Sequence, residues 1–84
     1  MKIIILNLPR TINANELERV FKPYGEVLNC NIILDSLTGK SKGFGFAEMP
    51  NEVEAKKAIV KLHGSLLINN RIRVKISNKI NNSN

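Results

Sequence analysis

The sequence predicts an α+β sandwich of order β-α-β-β-α-β, with four antiparallel strands carrying two helices on one face. Three observations lead there. Short apolar runs alternate with segments that open on a helix cap and carry apolar residues at helical spacing. That strand–helix–strand pattern occurs twice within 84 residues, a length that holds one domain and no second core. Finally, 43% of the residues are hydrophobic, the share of an ordinary globular chain and well above that of a disordered one. A chain this small buries only roughly 60–65% of its unfolded surface, so its stability margin should be thin.

Each element has a local reason. Residues 2–7, KIIILN, are a nearly continuous apolar run rich in isoleucine and read as a central strand. Asn13 with Glu16 three positions later makes a capping-box signal, and Leu17, Val20 and Phe21 give the helix that follows its inner face. Pro23 and Gly25 stop it. Residues 26–34 read as a second strand, in which Cys30, Ile32 and Leu34 point inward and Asn29, Asn31 and Ile33 outward. Residues 35–42, DSLTGKSK, are a basic, turn-rich loop, and residues 43–49, GFGFAEM, a third strand. Asn51 with Glu54 repeats the cap for a helix over 51–62, with Val53, Ala55, Ala58, Ile59 and Leu62 inward and Gly64 as its end. Residues 71–76 alternate charged with apolar and read as one continuous fourth strand. Residues 1–77 are expected to form the domain, and 78–84, which lack any core-forming pattern, a flexible C-terminal tail.

Two such halves give a ferredoxin-like sandwich, and its sheet has one face open to water. Side chains alternate along a strand, so if Gly45, Ala47 and Met49 face the helices, Phe44, Phe46 and Glu48 face out. In the fourth strand Ile72 and Val74 go in, and Arg71, Arg73 and Lys75 go out. The opposite parity would bury Glu48 without a partner, at a cost of roughly several kcal/mol. Two adjacent exposed rings mark a binding surface, and rings flanked by cations suit single-stranded nucleic acid: bases stack while Lys and Arg track phosphates. The charge distribution agrees. Residues 1–36 hold four bases and four acids, whereas residues 37–84 hold nine bases and three acids and so carry the whole net charge of +6.

Lys42-Gly43-Phe44-Gly45-Phe46-Ala47-Glu48-Met49 resembles the octapeptide signature of RNA-recognition motifs, matching six of its positions with the free one counted. Ile3-Ile4-Ile5-Leu6-Asn7-Leu8 resembles the family's hexapeptide on strand one. Val20-Phe21, Tyr24-Gly25, Val27 and the Asp35 to Thr38-Gly39 loop follow the family in order and spacing, so the resemblance spans residues 2–76. It implies the ferredoxin-like fold and binding of single-stranded RNA, with single-stranded DNA as a second ligand. The chain departs from the family at Ile4, where an aromatic is usual. A missing platform costs ~1–3 kcal/mol, which points to affinity on the order of micromolar.

The residues expected to meet RNA are therefore Phe44, Phe46 and Glu48 on strand three, Ile4 and Asn7 on strand one, and Asn31 on strand two. Lys40 and Lys42 before the aromatic strand, and Arg71, Arg73 and Lys75 along strand four, are expected at phosphates. Ser77 and Lys79 follow strand four, where such a sheet selects its sequence. Ile4, Leu6 and Ile33 also face out, and the alternative reading is a protein-interaction module using this aliphatic surface.

The remaining classes find little support. One His and one Cys assemble no catalytic or metal constellation, so neither an enzyme nor a cofactor is expected. Cys30 reads as a small core hydrophobe, Tyr24 as packing at the end of helix one, and His63 as a partial positive charge at the end of helix two. No stretch approaches the ~20 apolar residues of a membrane span, and the run Ile3 to Leu6 is too short for a signal-peptide core. A single cysteine suits a reducing compartment, so the expectation is a cytoplasmic monomer, or a nuclear one in a eukaryotic cell.

Overall fold

A computed structural model describes residues 1–77. The strands are β1 (Lys2–Leu6), β2 (Asn29–Leu34), β3 (Ser41–Glu48), β4 (Leu66–Leu67), β5 (Asn70–Arg71) and β6 (Arg73–Ile76), and the helices are α1 (Ala14–Phe21) and α2 (Glu52–Leu62). Four of the strands make one antiparallel sheet in the order β2-β3-β1-β6, and β4 and β5 form a small separate hairpin. This is the ferredoxin-like α+β fold that the pattern predicts.

The core lies between the sheet and the helices. Ile3 and Ile5 of β1, Ala47 of β3 and Val74 of β6 meet Leu17 and Phe21 of α1 and Ala55, Ala58 and Leu62 of α2. Ile72 and Met49, each just outside a sheet strand, are equally buried. Helix α1 begins where the sequence says it should. The Asn13 side chain accepts from the Glu16 N–H at 2.8 Å, and the Glu16 carboxylate accepts from the Asn13 N–H at 2.9 Å. In α2 only the first half of that exchange forms, Asn51 Oδ1 accepting from the Glu54 N–H.

Several boundaries differ from expectation. The α-helix ends at Phe21, and Lys22–Tyr24 continue as a 3₁₀ turn that takes Pro23 in its first positions, where a missing N–H costs nothing. Strand β2 starts at Asn29; Val27 packs on the core, while Leu28 is exposed. Val53 is not on the inner face of α2 but 74% exposed, because it stands about 200° round the helix from Ala55. The fourth strand is broken. Ile72 exchanges backbone hydrogen bonds with Gly64 and Ser65, so only Arg73–Ile76 pair with β1.

The largest departure is a bulge. Between the pairs Ile32↔Gly45 and Leu34↔Ser41, β2 advances two residues and β3 four. Gly43 takes φ +85° there, a conformation that favours glycine, and its N–H donates to the buried Ser41 Oγ at 3.0 Å. The inward alternation of β2 therefore fails after Ile32, and Leu34, expected inside, is 56% exposed. Gly45 is fixed by a close approach instead: a Cβ there would run into the Asn31 carbonyl oxygen and lie 3.3 Å from Ile32 Cα.

Candidate nucleic-acid interface

Strand register places the outward residues in rows across the open face. Asn31, Phe46, Ile4 and Lys75 form one row, running across β2, β3, β1 and β6. Phe44, Leu6 and Arg73 form the next, and Asn29, Glu48 and Lys2 a third on the far side of Phe46. Inward neighbours Ile3, Ile5, Ala47 and Val74 are all but fully buried, so the parity is unambiguous. Phe44 and Phe46 are half-buried, their centroids 6.3 Å apart and their planes at 73°. Rings at that angle give two separate platforms, suited to splayed bases.

Charge collects at both ends of this face. At the end of β1, a shallow concavity of about 460 Å³ is lined by Asn7, Asn70 and Phe44 together with the cations Arg10, Lys42 and Arg73. The Arg10 guanidinium reaches over the bulge, where a Cβ on Gly43 would stand 3.1 Å from its Nε. At the other end the Lys2 ammonium lies 5.4 Å from the centroid of Phe46. The expected set of contacts omits both Arg10 and Lys2. Lys2 was within reach of the alternation argument, since it shares the parity of Ile4 and Leu6. Arg10 has no such signal, because it sits in the irregular link between β1 and α1.

Other expected contacts stand apart. The Arg71 guanidinium donates to the Gly64 carbonyl at 2.7 Å, so Arg71 is anchored at the end of α2 and only Arg73 and Lys75 pair with β1. Asn7 holds the chain: at φ +60° its Nδ2 donates to the Arg71 carbonyl at 3.0 Å, and its own carbonyl accepts from Asn70 Nδ2. Lys40 is exposed in the β2–β3 loop, near Lys42 and Arg10 but off the sheet. Ser77 donates its N–H to the Lys2 carbonyl at 2.8 Å, continuing the line of β6. Lys79 and the expected tail lie outside the described residues.

The β2–β3 loop is held by Asp35. Its Oδ1 accepts from the N–H groups of Thr38 and Leu37, which hold the carboxyl below its usual value, and its carbonyl accepts from the Gly39 N–H. Cys30, on the helix side of β2, is half-buried; desolvation first, and then the nearby Glu18 charge, push its thiol up to about 11. His63 stands at the end of α2 as expected, and its Nδ1 also accepts the Val74 N–H at 3.0 Å on the outer edge of β6. No group of three or more potential metal ligands occurs among the described residues, and no described helix is long and apolar enough to cross a membrane.

Comparison with known proteins bears on this arrangement. The chain is 38% identical over 76 residues to the chloroplastic RNA-binding protein CP31B of Arabidopsis thaliana, covering 90% of this chain but 26% of that one. Among solved structures it matches an RNA-binding protein named PG1 at 35% identity and TM-score 0.87, covering 89% and 90% of the two chains. It also matches a Sex-lethal protein in complex with RNA at 30% identity and TM-score 0.86, covering 90% of this chain and 46% of that one. The RNA recognition motif model matches residues 3–73, which take in both helices, β2, β3 and nearly all of β1, and end at the first residue of β6. With the open face, the octapeptide on β3 and that match together, the chain belongs to the RNA recognition motif family.

Proposed function

We propose that this chain binds single-stranded RNA on the open face of its sheet, as a binding module and not as an enzyme. The observation that carries the reading is the pair Phe44 and Phe46, half-exposed side by side on a face whose register sets cations beside them. One base stacks on each ring, and Ile4 adds apolar contact between them and Lys75. Lys42, Arg73 and Lys75 meet phosphates, with Arg10 extending the cationic path at the end of β1. Arg71 would have to release the Gly64 carbonyl to join them. Asn31, Glu48, Ser77 and Lys40 lie at or beyond the rim and serve base or phosphate contacts there, and Lys79, outside the described residues, is assigned the same role. Single-stranded DNA is a second ligand, because neither stacking nor phosphate contact needs a 2′-hydroxyl. The RNA-bound Sex-lethal neighbour supports the class of ligand. We take residues 1–77 as the working domain, a monomer. A reducing compartment such as the cytoplasm suits its single free thiol, although one relative named above is chloroplastic.

A protein ligand is the second reading, favoured by Ile4 and Leu6, which are half-exposed between the rings and β6. Salt separates the two. If three to five cations contact phosphates, log K for a single-stranded oligonucleotide should fall with log salt at a slope of about −2 to −3.5, at ~0.7 per phosphate. Replacing Lys42, Arg73 or Lys75 by Ala should each reduce that slope by about 0.7. A protein held by apolar burial would show a shallow slope, since burial is not screened. A slope near zero would exclude phosphate tracking.

A further inference from the structure

Resting on that reading, we propose that the polar row beside Phe46 selects guanine for the base stacked on that ring. Lys2 and Glu48 stand directly opposite each other on β1 and β3, a pairing that ordinarily brings unlike charges together. Here it does not. The only ion pair among the described residues is Lys22 with Glu18, and the Lys2 ammonium lies over the Phe46 ring instead. The Glu48 carboxylate keeps one long hydrogen bond, accepted from Asn29 Nδ2 at 3.4 Å, and so retains most of its acceptor capacity. Both groups border a notch of about 90 Å³ lined by Lys2, Asn29, Asn31, Phe46 and Glu48, with Ala47 beneath. The notch is too small for a base but has room for the functional groups on the edge of one.

The chemistry of the row is an acceptor-only carboxylate beside a donor-only ammonium. A base lying on Phe46 with its Watson–Crick edge toward that row must offer donors to Glu48 and an acceptor to Lys2. Guanine offers N1–H and N2–H₂ side by side, which a carboxylate accepts as a bidentate pair, with O6 next to them for the ammonium. Uracil sets a carbonyl on either side of its single N–H, and the two oxygens would face the carboxylate. Adenine and cytosine each present one amino group beside a bare ring nitrogen. Only guanine gives the carboxylate two donors and the ammonium an acceptor at the same time. Stacking also explains where Lys2 goes, because the base takes the ring face the ammonium occupies and displaces it toward the base edge. Exposed cation–π contacts are weak, so the exchange is an easy one.

The test uses octamers of uridine carrying at the fourth position guanosine, inosine, adenosine or uridine, titrated into the full chain at fixed salt. The guanosine octamer should bind about 5- to 150-fold more tightly than the adenosine one, the range of a good bidentate contact. Inosine keeps O6 and N1–H but lacks the N2 amino group, so its octamer should lose much of the advantage. In Glu48→Gln, whose amide offers one acceptor and sets an NH₂ against the second donor, the guanosine-to-adenosine ratio should fall toward one. The inference fails if the wild type binds all four octamers alike, if inosine equals guanosine, or if Glu48→Gln keeps the full ratio. The inosine arm needs no variant, so it stands even if Glu48→Gln folds poorly. Equal binding of all four octamers with a steep salt slope would overturn guanine selection alone, whereas no binding to any of them would overturn the RNA-binding reading as well.

Discussion

On β3 the side chains directed at the helices are Gly45 and Ala47, with Met49 just beyond, and those directed at water are Phe44 and Phe46. The two faces of this one strand thus reverse the order that hydrophobic burial alone would choose, while β1 and β6 keep it. Fully burying a phenylalanine contributes roughly 1.5–3 kcal/mol relative to leaving it exposed, and this strand leaves part of that unused twice. The inner face has no room for them at Gly45, where even a Cβ would run into the Asn31 carbonyl, and the ring that the core does hold is Phe21 of α1, wholly buried. The difference teaches that the helix face holds the fold while the outer face is held ready for a ligand, and that a ring on one has a different task from a ring on the other.

The sharpest way to break this comparison is to truncate a ring on each side. Phe21→Ala should destabilise the domain by about 3–5 kcal/mol in chemical denaturation, as expected of a cavity under a small core. If Phe44→Ala proved as costly to folding as Phe21→Ala, the two faces would not be distinct.

A gain of function sharpens it further. Ile4→Tyr, at an outward position flanked by Phe46 and Lys75, should leave stability within about 1 kcal/mol and strengthen single-strand binding by ~1–3 kcal/mol through a third platform. The same change one residue on, Ile5→Tyr, should instead cost stability, because Ile5 is fully buried. Thermal denaturation of both variants checks the parity. Stabilities in the reverse order would mean that β1 is turned over.

The smallest effect concerns Cys30, on the helix side of β2 where that face meets water. Its thiol is raised from an ordinary value of 9.0 to about 11, so burial favours the protonated form. The sign follows: this contribution is fully present below about pH 9 and is lost as pH rises toward 11. Stability measured across that window should decline more in the wild type than in Cys30→Ala, and a disulfide reagent at pH 8 should label the native thiol more slowly than a free cysteine. Rapid labelling at that pH would show the thiol to be far less shielded than its position implies.

How much of this was legible beforehand depended on how regular the backbone is. Periodicity and caps located β1, α1, β3 and α2, because Ile3 and Ile5, Leu17 and Phe21, and Ala55, Ala58 and Leu62 repeat at the period of their element. The outward identity of Phe44 and Phe46 came from the same alternation. Irregularity was not legible. The exposure of Leu34 follows from the Gly43 bulge, which shifts the register by two and holds a Gly43–Ser41 hydrogen bond that no period announces. Alternation alone groups Arg71 with Arg73 and Lys75, but Ile72 pairs with Gly64 and Ser65 and breaks the strand between them. The exposure of Val53 is legible, since its helical angle sets it opposite Ala55. Arg10 reaches the site from a loop, by a route that only the folded chain shows.

The most direct test is a titration of fluorescently labelled single-stranded RNA with the wild type and with the double variant Phe44→Ala/Phe46→Ala, folding being checked by circular dichroism in the same buffer. If the open sheet face is the binding surface, the double variant stays folded and its affinity falls at least about tenfold, the loss expected from two stacking platforms. A folded double variant that binds RNA as tightly as the wild type would contradict the account.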